Sequence, residues 1–318
     1  MTILVTGACG YLGKQLIDHL VHEQEHSNIV AADIREPTSV HFPEGVTYVN
    51  MDVRTKEVED VFSQYSIETV VHLASVVTPG KNSNAQFEYD VDVRGTERIL
   101  IACVKHHVAR IILTSSGAAY GYHPDNPEWI NEDTPLRGHD RFAYAKHKRL
   151  VEEMLATYRS SHPDLQQVIF RIGTILGDET KNQITDLFEK RFLIGVRGSK
   201  SPFVFIWDQD VVTCIRKAIT AEHSGIYNVA GDGRLTIDEL GELLNKRVVR
   251  LPARMIGSAL FVLKRLKLTQ YGEEQVDFLR YRPVLSNERL KSEFGYTPTY
   301  STKEVFQNYL QRQSFPGK

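Results

Sequence analysis

Residues 6–13 read Thr6-Gly-Ala-Cys-Gly-Tyr-Leu-Gly13, between an apolar β-rich run, Thr2–Thr6, and the first helical pattern, residues 11–24. Gly7, Gly10 and Gly13 follow a GxxGxxG spacing. Glycine permits a tight turn from strand to helix, and without a Cβ it lets a pyrophosphate reach backbone N–H groups at a helix N-terminus. A plain strand-to-helix turn rarely needs three glycines in register. Gly7, Gly10, Tyr11, Leu12 and Gly13 are therefore expected to hold a dinucleotide. Asp33 closes the next strand-like run, where a carboxylate accepts both ribose hydroxyls of an adenosine. The same charge repels a 2′-phosphate, so NAD(H) is favoured over NADP(H). Arg35 is a counterweight, because its guanidinium can hold such a phosphate. Asp52 and Val53, after the third strand-like run, are candidates for the adenine edge, with a turn or cap role the alternative for Asp52.

Further runs extend the pattern. Strands are expected at 2–6, 29–33, 46–50, 69–73, 110–115 and 168–172, and helices at 11–24, 57–65, 85–107 and 142–159. Strand–helix alternation means parallel crossovers with helices on both faces of an open sheet. The fold expected is α/β: a doubly wound, Rossmann-type parallel sheet over residues 1–172, followed by a smaller, mainly substrate-binding lobe over 173–318. A strand near 225–229 is expected to rejoin the sheet.

Composition narrows the function. The chain has 318 residues, 38 Lys and Arg against 40 Asp and Glu, and a net charge of −2. That balance offers no basic excess for a phosphate backbone, so no nucleic-acid partner is expected. Cys9, Cys103 and Cys214 are scattered without a CxxC pair, which argues against a disulfide framework or a cysteine-rich zinc site. No signal segment and no long apolar stretch stands out, so a cytoplasmic protein without an integral membrane segment is expected.

Ala143-Tyr144-Ala-Lys-His-Lys148 puts Tyr144 and Lys148 four apart on a helical pattern, hence on one face. Ser115-Ser116 ends a strand at the carboxyl edge, where open α/β sheets bind ligands. These residue types suit alcohol–ketone chemistry. A free tyrosine has a pKa near ~10, too high for a base at neutral pH. A nearby ammonium and a nicotinamide cation stabilise its phenolate, and a serine hydroxyl holds the substrate oxygen in line.

In order, the loop at 6–13, Asp33, Asp52-Val53, Val71-His-Leu-Ala-Ser75, Val93-Arg-Gly-Thr96, Thr114-Ser-Ser-Gly-Ala-Ala-Tyr-Gly121 and Tyr144…Lys148 resemble the extended short-chain dehydrogenase/reductases, the NAD-dependent epimerase/dehydratase group. The resemblance implies a catalytic Ser116, Tyr144 as general base or acid, and Lys148 holding Tyr144 and the nicotinamide ribose. It also implies that Leu73 and Ala74 line the cofactor. Several positions depart from the nucleotide-sugar members. Gly117 and Ala118 replace the acidic pair of the dehydratases. Arg171-Ile-Gly-Thr-Ile-Leu-Gly177 lacks the diphosphate-gripping Asn. Phe203 and Trp207 stand where an Arg and a His are expected, and Asp92 replaces an Asn. A substrate less anionic than a UDP-sugar follows, unless Arg191 or Arg197 substitutes.

Other features have plainer readings. His19, His22 and His26 share a helical face with Glu23, but a solvent face is favoured and no metal is expected. His106, His107 and His147 read as helix-end or surface residues, and His72 as a hydrogen-bonded core group. The segment 254–268, RMIGSALFVLKRLKL, has four basic residues and no acid. It reads first as a helix packed within the smaller lobe, and otherwise as a lid or a membrane-touching patch. The long helices at 85–107 and 142–159 suggest a homodimer. The leading expectation is an NAD-dependent oxidoreductase acting on a small-molecule secondary alcohol or ketone. A nucleotide-sugar epimerase with tightly bound NAD is the alternative, and a non-catalytic NAD(H) sensor the third reading.

Overall fold

The computed structural model describes residues 1–22, 28–35, 42–77, 84–222, 224–266, 268–269 and 272–313. His26, Glu23, Gln24 and Lys267 lie outside these residues. The chain forms two compact units that interleave along the sequence. The first comprises Met1–Ser116, His147–Arg171 and Gln209–Tyr227, and the second Gly117–Lys146, Ile172–Asp208 and Asn228–Lys318.

A seven-stranded sheet dominates the first unit. Its strands are β1 (Thr2–Thr6), β2 (Asn28–Asp33), β3 (Val46–Asn50), β4 (Thr69–His72), β5 (Arg110–Ser116), β6 (Gln166–Ile172) and, later in the chain, β10 (Gly225–Val229). The order across the sheet is β10-β6-β5-β4-β1-β2-β3. Order reverses beside β1, which pairs in parallel with both β2 and β4. Such a switch opens the crevice in which open α/β sheets take their ligands. Strands covered on both faces read as nearly continuous apolar runs; all four residues of β4 are buried, Val70 and Val71 between the polar Thr69 and His72.

The helices explain themselves locally. In α1 (Tyr11–His22), Leu16, Ile17 and Leu20 recur at helical spacing and are buried, each contributing about 1.5–3 kcal/mol. In α2 (Glu57–Gln64), three acids in the first turn face the positive helix end. The pattern expected over 85–107 is not one helix. It divides into α3 (Ala85–Tyr89), a π turn at Asp90–Arg94, and α4 (Gly95–Lys105). At the turn the Thr96 hydroxyl bonds back to the Asp92 carbonyl at 2.6 Å, a contact that bends helices. The fifth helix, α5 (Ala143–Ser161), follows.

After β6 come elements that the sequence did not disclose. Strand β7 (Thr174–Leu176) pairs with β9 (Phe205–Trp207), and β8 (Leu193–Val196) with β11 (Val248–Leu251). Strands of three or four residues show no alternation to read. The remaining helices are α6 (Gln183–Phe188), α7 (Asp208–Thr220), α8 (Ile237–Leu243), α9 (Ala253–Arg265), α10 (Gln275–Arg280), α11 (Glu288–Ser292) and α12 (Thr302–Arg312). The second unit has its own core, in which Phe188, Phe203, Phe205 and Phe306 interlock. No helix among the described residues is long and apolar enough to cross a membrane.

Candidate functional site

The glycine turn is built by close approach. Gly7 has φ +69°, and a Cβ there would stand 2.8 Å from the backbone of both Leu73 and Ala74. A Cβ on Gly13 would stand 2.4 Å from the Gly7 carbonyl oxygen and 2.7 Å from that of Ala8. Only glycine lets α1 start so close to the end of β1. Thr6 seals the junction: its Oγ1 accepts from the Ala74 N–H at 3.3 Å, and its carbonyl accepts from the Leu73 N–H at 3.1 Å. The structure thus brings Gly7, Leu73 and Ala74 together at the carboxyl ends of β1 and β4. Tyr11 and Leu12 open α1 beside them.

Asp33 is buried at the end of β2. It accepts from the Cys9 N–H at 3.0 Å and from Arg35, whose Nε is 3.1 Å away. The loop and the carboxylate are therefore one hydrogen-bonded assembly. Asp52 is engaged by Arg54 at 2.6 Å; burial alone would raise its pKa, but the Arg54 hydrogen bonds hold it below the usual carboxylate range. Val53 lies in the core against Gly95. These surroundings fit the dinucleotide: a cradle that a Cβ would fill, at a helix N-terminus, with a carboxylate anchored at its edge.

A cleft in the same unit is lined by His72, Ala74, Ser75, Asp92, Thr114 and Lys148. Lys148 donates to the Thr114 carbonyl at 3.0 Å. Asp92 is buried and accepts from Ser75 Oγ and the Val76 N–H, each at 2.9 Å, with His147 Nδ1 at 3.4 Å. Burial works to raise its pKa, but the His147 contact and the Lys148 charge outweigh it and hold the carboxylate ionised. His147 was expected at the surface; it is 4% exposed and meets the ring of Tyr89 edge-on. Its partner lies 55 residues away in sequence, so no local pattern shows it. His72 is the core group expected, held between Thr6 Oγ1 and Thr96 Oγ1.

Ser116 ends β5 and is half-buried, whereas its neighbour Ser115 is buried and donates to Glu152. Glu152 also takes a bidentate grip from Arg171, with Nη2 2.7 Å and Nε 2.9 Å from Oε2 and Nε 3.1 Å from Oε1. This buried pair joins α5 to β5 and β6 and holds the helix that presents Lys148. Tyr144 stands on the first turn of α5, one turn before Lys148.

In the second unit Tyr144 belongs to an apolar cluster with Ala118, Tyr122, Phe142 and Phe278. Burial, then the nearby Tyr144 oxygen, pushes the Tyr122 phenol well above its ordinary pKa. Phe203, the residue in place of the expected arginine, carries a cation nonetheless: the Arg282 guanidinium lies 3.8 Å from its ring centroid and 4.3 Å from that of Phe278. Arg282 is buried; its Nε donates to the Phe278 carbonyl at 3.2 Å, and its two Nη atoms have no hydrogen-bond partner among the described residues. Burial lowers its pKa to about 9, which leaves it cationic at neutral pH. Arg191 and Arg197, the substitutes expected from sequence, are both exposed. The run Arg280-Tyr-Arg282 gives no sequence signal of this stacking. Among the described residues no group of three or more His, Cys, Asp or Glu side chains converges as a metal site; His19 is instead bonded to Gln209 at 2.9 Å.

The chain is similar to known proteins along nearly its whole length. The N-acetyl-alpha-D-glucosaminyl-diphospho-ditrans,octacis-undecaprenol 4-epimerase of Escherichia coli O157:H7 is 24% identical over 335 residues, spanning 99% of this chain and 96% of its own. An uncharacterised protein of Mycobacterium tuberculosis is 24% identical over 316 residues, 97% of this chain and 83% of that one. Among solved structures, the UDP-glucose 4-epimerase of Thermotoga maritima, crystallised with UDP-glucose, superposes with a TM-score of 0.75 at 19% identity, over 98% of this chain and 99% of that one. The Thermus thermophilus UDP-glucose 4-epimerase in complex with NAD gives 0.73 at 22% identity, over 98% of each. At these identities the superpositions speak for the fold alone. The sequence profile of the NAD dependent epimerase/dehydratase family matches residues 3–230. Those residues hold the glycine turn, Asp33 and the Tyr144–Lys148 helix, and by that match the chain belongs to the NAD dependent epimerase/dehydratase family, a family of enzymes.

Proposed function

We propose that this protein is an NAD-dependent oxidoreductase of the extended short-chain type, moving a hydride at a secondary carbinol carbon. The observation that carries this reading is the joint placement at the strand ends of β1, β2 and β4: a turn that only glycine fits, with Asp33 hydrogen-bonded into it. Bound there, the dinucleotide supplies the hydride acceptor and donor. The chain's own residues handle the proton and the oxygen. Tyr144 exchanges a proton with the substrate oxygen, Ser116 holds that oxygen in line, and the Lys148 ammonium favours the phenolate. The Asp92 carboxylate, fixed by Ser75, Val76 and His147, lines the same cleft as Lys148.

Arg282 supports a second reading, epimerisation of a substrate that carries a phosphate. A buried guanidinium whose two Nη atoms meet no acceptor among the described residues is costly, and an anionic ligand group supplies one. This revises the weakly charged substrate expected from the missing contacts at 203 and 207. It also agrees with the diphospho-linked sugar named for the Escherichia coli relative. The two readings separate in one experiment: native mass spectrometry of the purified protein, followed by reduced-nicotinamide absorbance with UDP-sugars and with apolar secondary alcohols. Retained NAD with no net reduction in solution supports epimerisation, whereas exchangeable cofactor and accumulating NADH support a dehydrogenase. Tyr144→Phe should lower turnover at least ~100-fold while NAD binding persists. Undiminished turnover would refute the assigned role. The homodimer inferred from the long helices is tested by light scattering, where a mass near 36.2 kDa contradicts it.

A further inference from the structure

Helix α9 has two apolar faces, and its own unit covers one of them. Ile256 and Gly257 are buried, and Ile256 and Leu260 pack with Val196 and Val276. On the opposite side Met255, Val262 and Leu266 stand at i, i+7 and i+11, with Ala259 between them, so they form one stripe along the axis. They are 58%, 51% and 61% exposed, and Phe261 at 52% flanks them. The helical bonding runs on to Leu266, whose N–H meets the Val262 carbonyl at 3.0 Å. Large apolar side chains scattered singly are ordinary, but an ordered stripe on a polar-flanked helix marks a contact surface.

The charges say which contact. Arg254 and Arg265, eleven residues apart, follow one line beside the stripe, and both are exposed. Lys264 pairs with Glu274 at 3.5 Å. The segment 253–268 contains no Asp or Glu. A twofold contact of this stripe with a second copy would gather cations from both helices without a carboxylate from either. An anionic lipid surface answers both features, since acyl chains take the stripe and headgroup phosphates take the arginines. At 13 residues the helix is about 20 Å long, too short to span a bilayer but long enough to lie in its interface.

We propose that α9 docks this protein on an anionic membrane surface, with Met255, Val262 and Leu266 entering the headgroup boundary and Arg254 and Arg265 meeting lipid phosphates. The proposal stands independently of the substrate reading. Its test is co-sedimentation of the full chain with phosphatidylcholine–phosphatidylglycerol vesicles at a ratio of about 2:1, against phosphatidylcholine alone. Binding to the anionic vesicles at low salt, weakening as salt rises, is expected. The paired change Val262→Asp and Leu266→Asp, at exposed positions, should weaken binding by more than ~10-fold, with the circular dichroism spectrum and NAD affinity retained. Arg254→Gln with Arg265→Gln should weaken it on the order of tenfold. The proposal fails if the natural chain stays in the supernatant with anionic vesicles at low salt. It fails equally if the stripe variant binds as well as the natural chain. Should that variant turn a dimer into a monomer with vesicle binding unchanged, the stripe belongs to a second copy and the proposal is overturned.

Discussion

Lowering the pH from about 7 to about 5 puts the interior of the sheet under a specific load. His72 lies in β4 with Thr6 Oγ1 2.7 Å from Nδ1 and Thr96 Oγ1 3.0 Å from Nε2. Burial, and after it the Lys148 charge, lowers its pKa from the ordinary 6.5 to about 4, against a smaller opposing pull from Asp92. The folded pKa lies below the unfolded one, so the unfolded chain takes up the proton first. The stabilisation is complete above about pH 6.5 and drains away as pH falls toward 4. A gap of about 2.5 units corresponds to about 3 kcal/mol in full, of which about 2 kcal/mol is lost between pH 7 and 5. Urea unfolding followed by circular dichroism at both pH values measures the loss. His72→Gln should show a pH dependence smaller by about 2 kcal/mol, because the other titrating groups are common to both proteins. In the natural chain, the His72 imidazole should keep its neutral NMR signature down to about pH 5. An equal pH dependence in the two proteins, or an imidazole that titrates near 6.5, would refute the reasoning.

Gly13→Ala places a methyl group against two backbone carbonyl oxygens that cannot yield. It should cost about 1–3 kcal/mol and weaken NAD binding at least tenfold, as thermal melting and calorimetric titration would show. Glu152→Ala removes the carboxylate that neutralises the buried Arg171 guanidinium, so stability in urea should fall by about 3–5 kcal/mol. Arg282→Met should raise the KM for a phosphorylated substrate at least ~10-fold and leave the folded state as stable or more so, because a desolvated cation has gone; an unchanged KM would remove Arg282 from substrate binding.

Much of the first unit was legible because its signals are local. Strands β1, β3 and β10 begin and end where their apolar runs do, and the glycine spacing already required a turn in which backbones touch. What escaped depends on partners distant in sequence. Nothing around His147, with lysines on both sides, reveals that it faces Asp92. Glu152 and Arg171 look like ordinary charges until β6 is set beside α5. The break at Asp90–Arg94 is hidden because its residues suit a helix well enough, and only the packing of Gly95 on Val53 and the Thr96 hydroxyl mark the site. Arg282 escaped for a related reason: a guanidinium stacked between two phenyl rings is a tertiary event with no spacing of its own.

The interleaved path of the chain has a practical consequence. It leaves one compact unit for the other after Ser116, Lys146, Arg171, Asp208 and Tyr227. A fragment ending near residue 172 would forfeit β10 and the whole of α7, so an outermost strand of the sheet would be missing and β6 would become a bare edge open to pairing between molecules. Neither half can be harvested by a single cut. Limited proteolysis at a junction should yield nicked protein whose pieces stay together until denaturant is added.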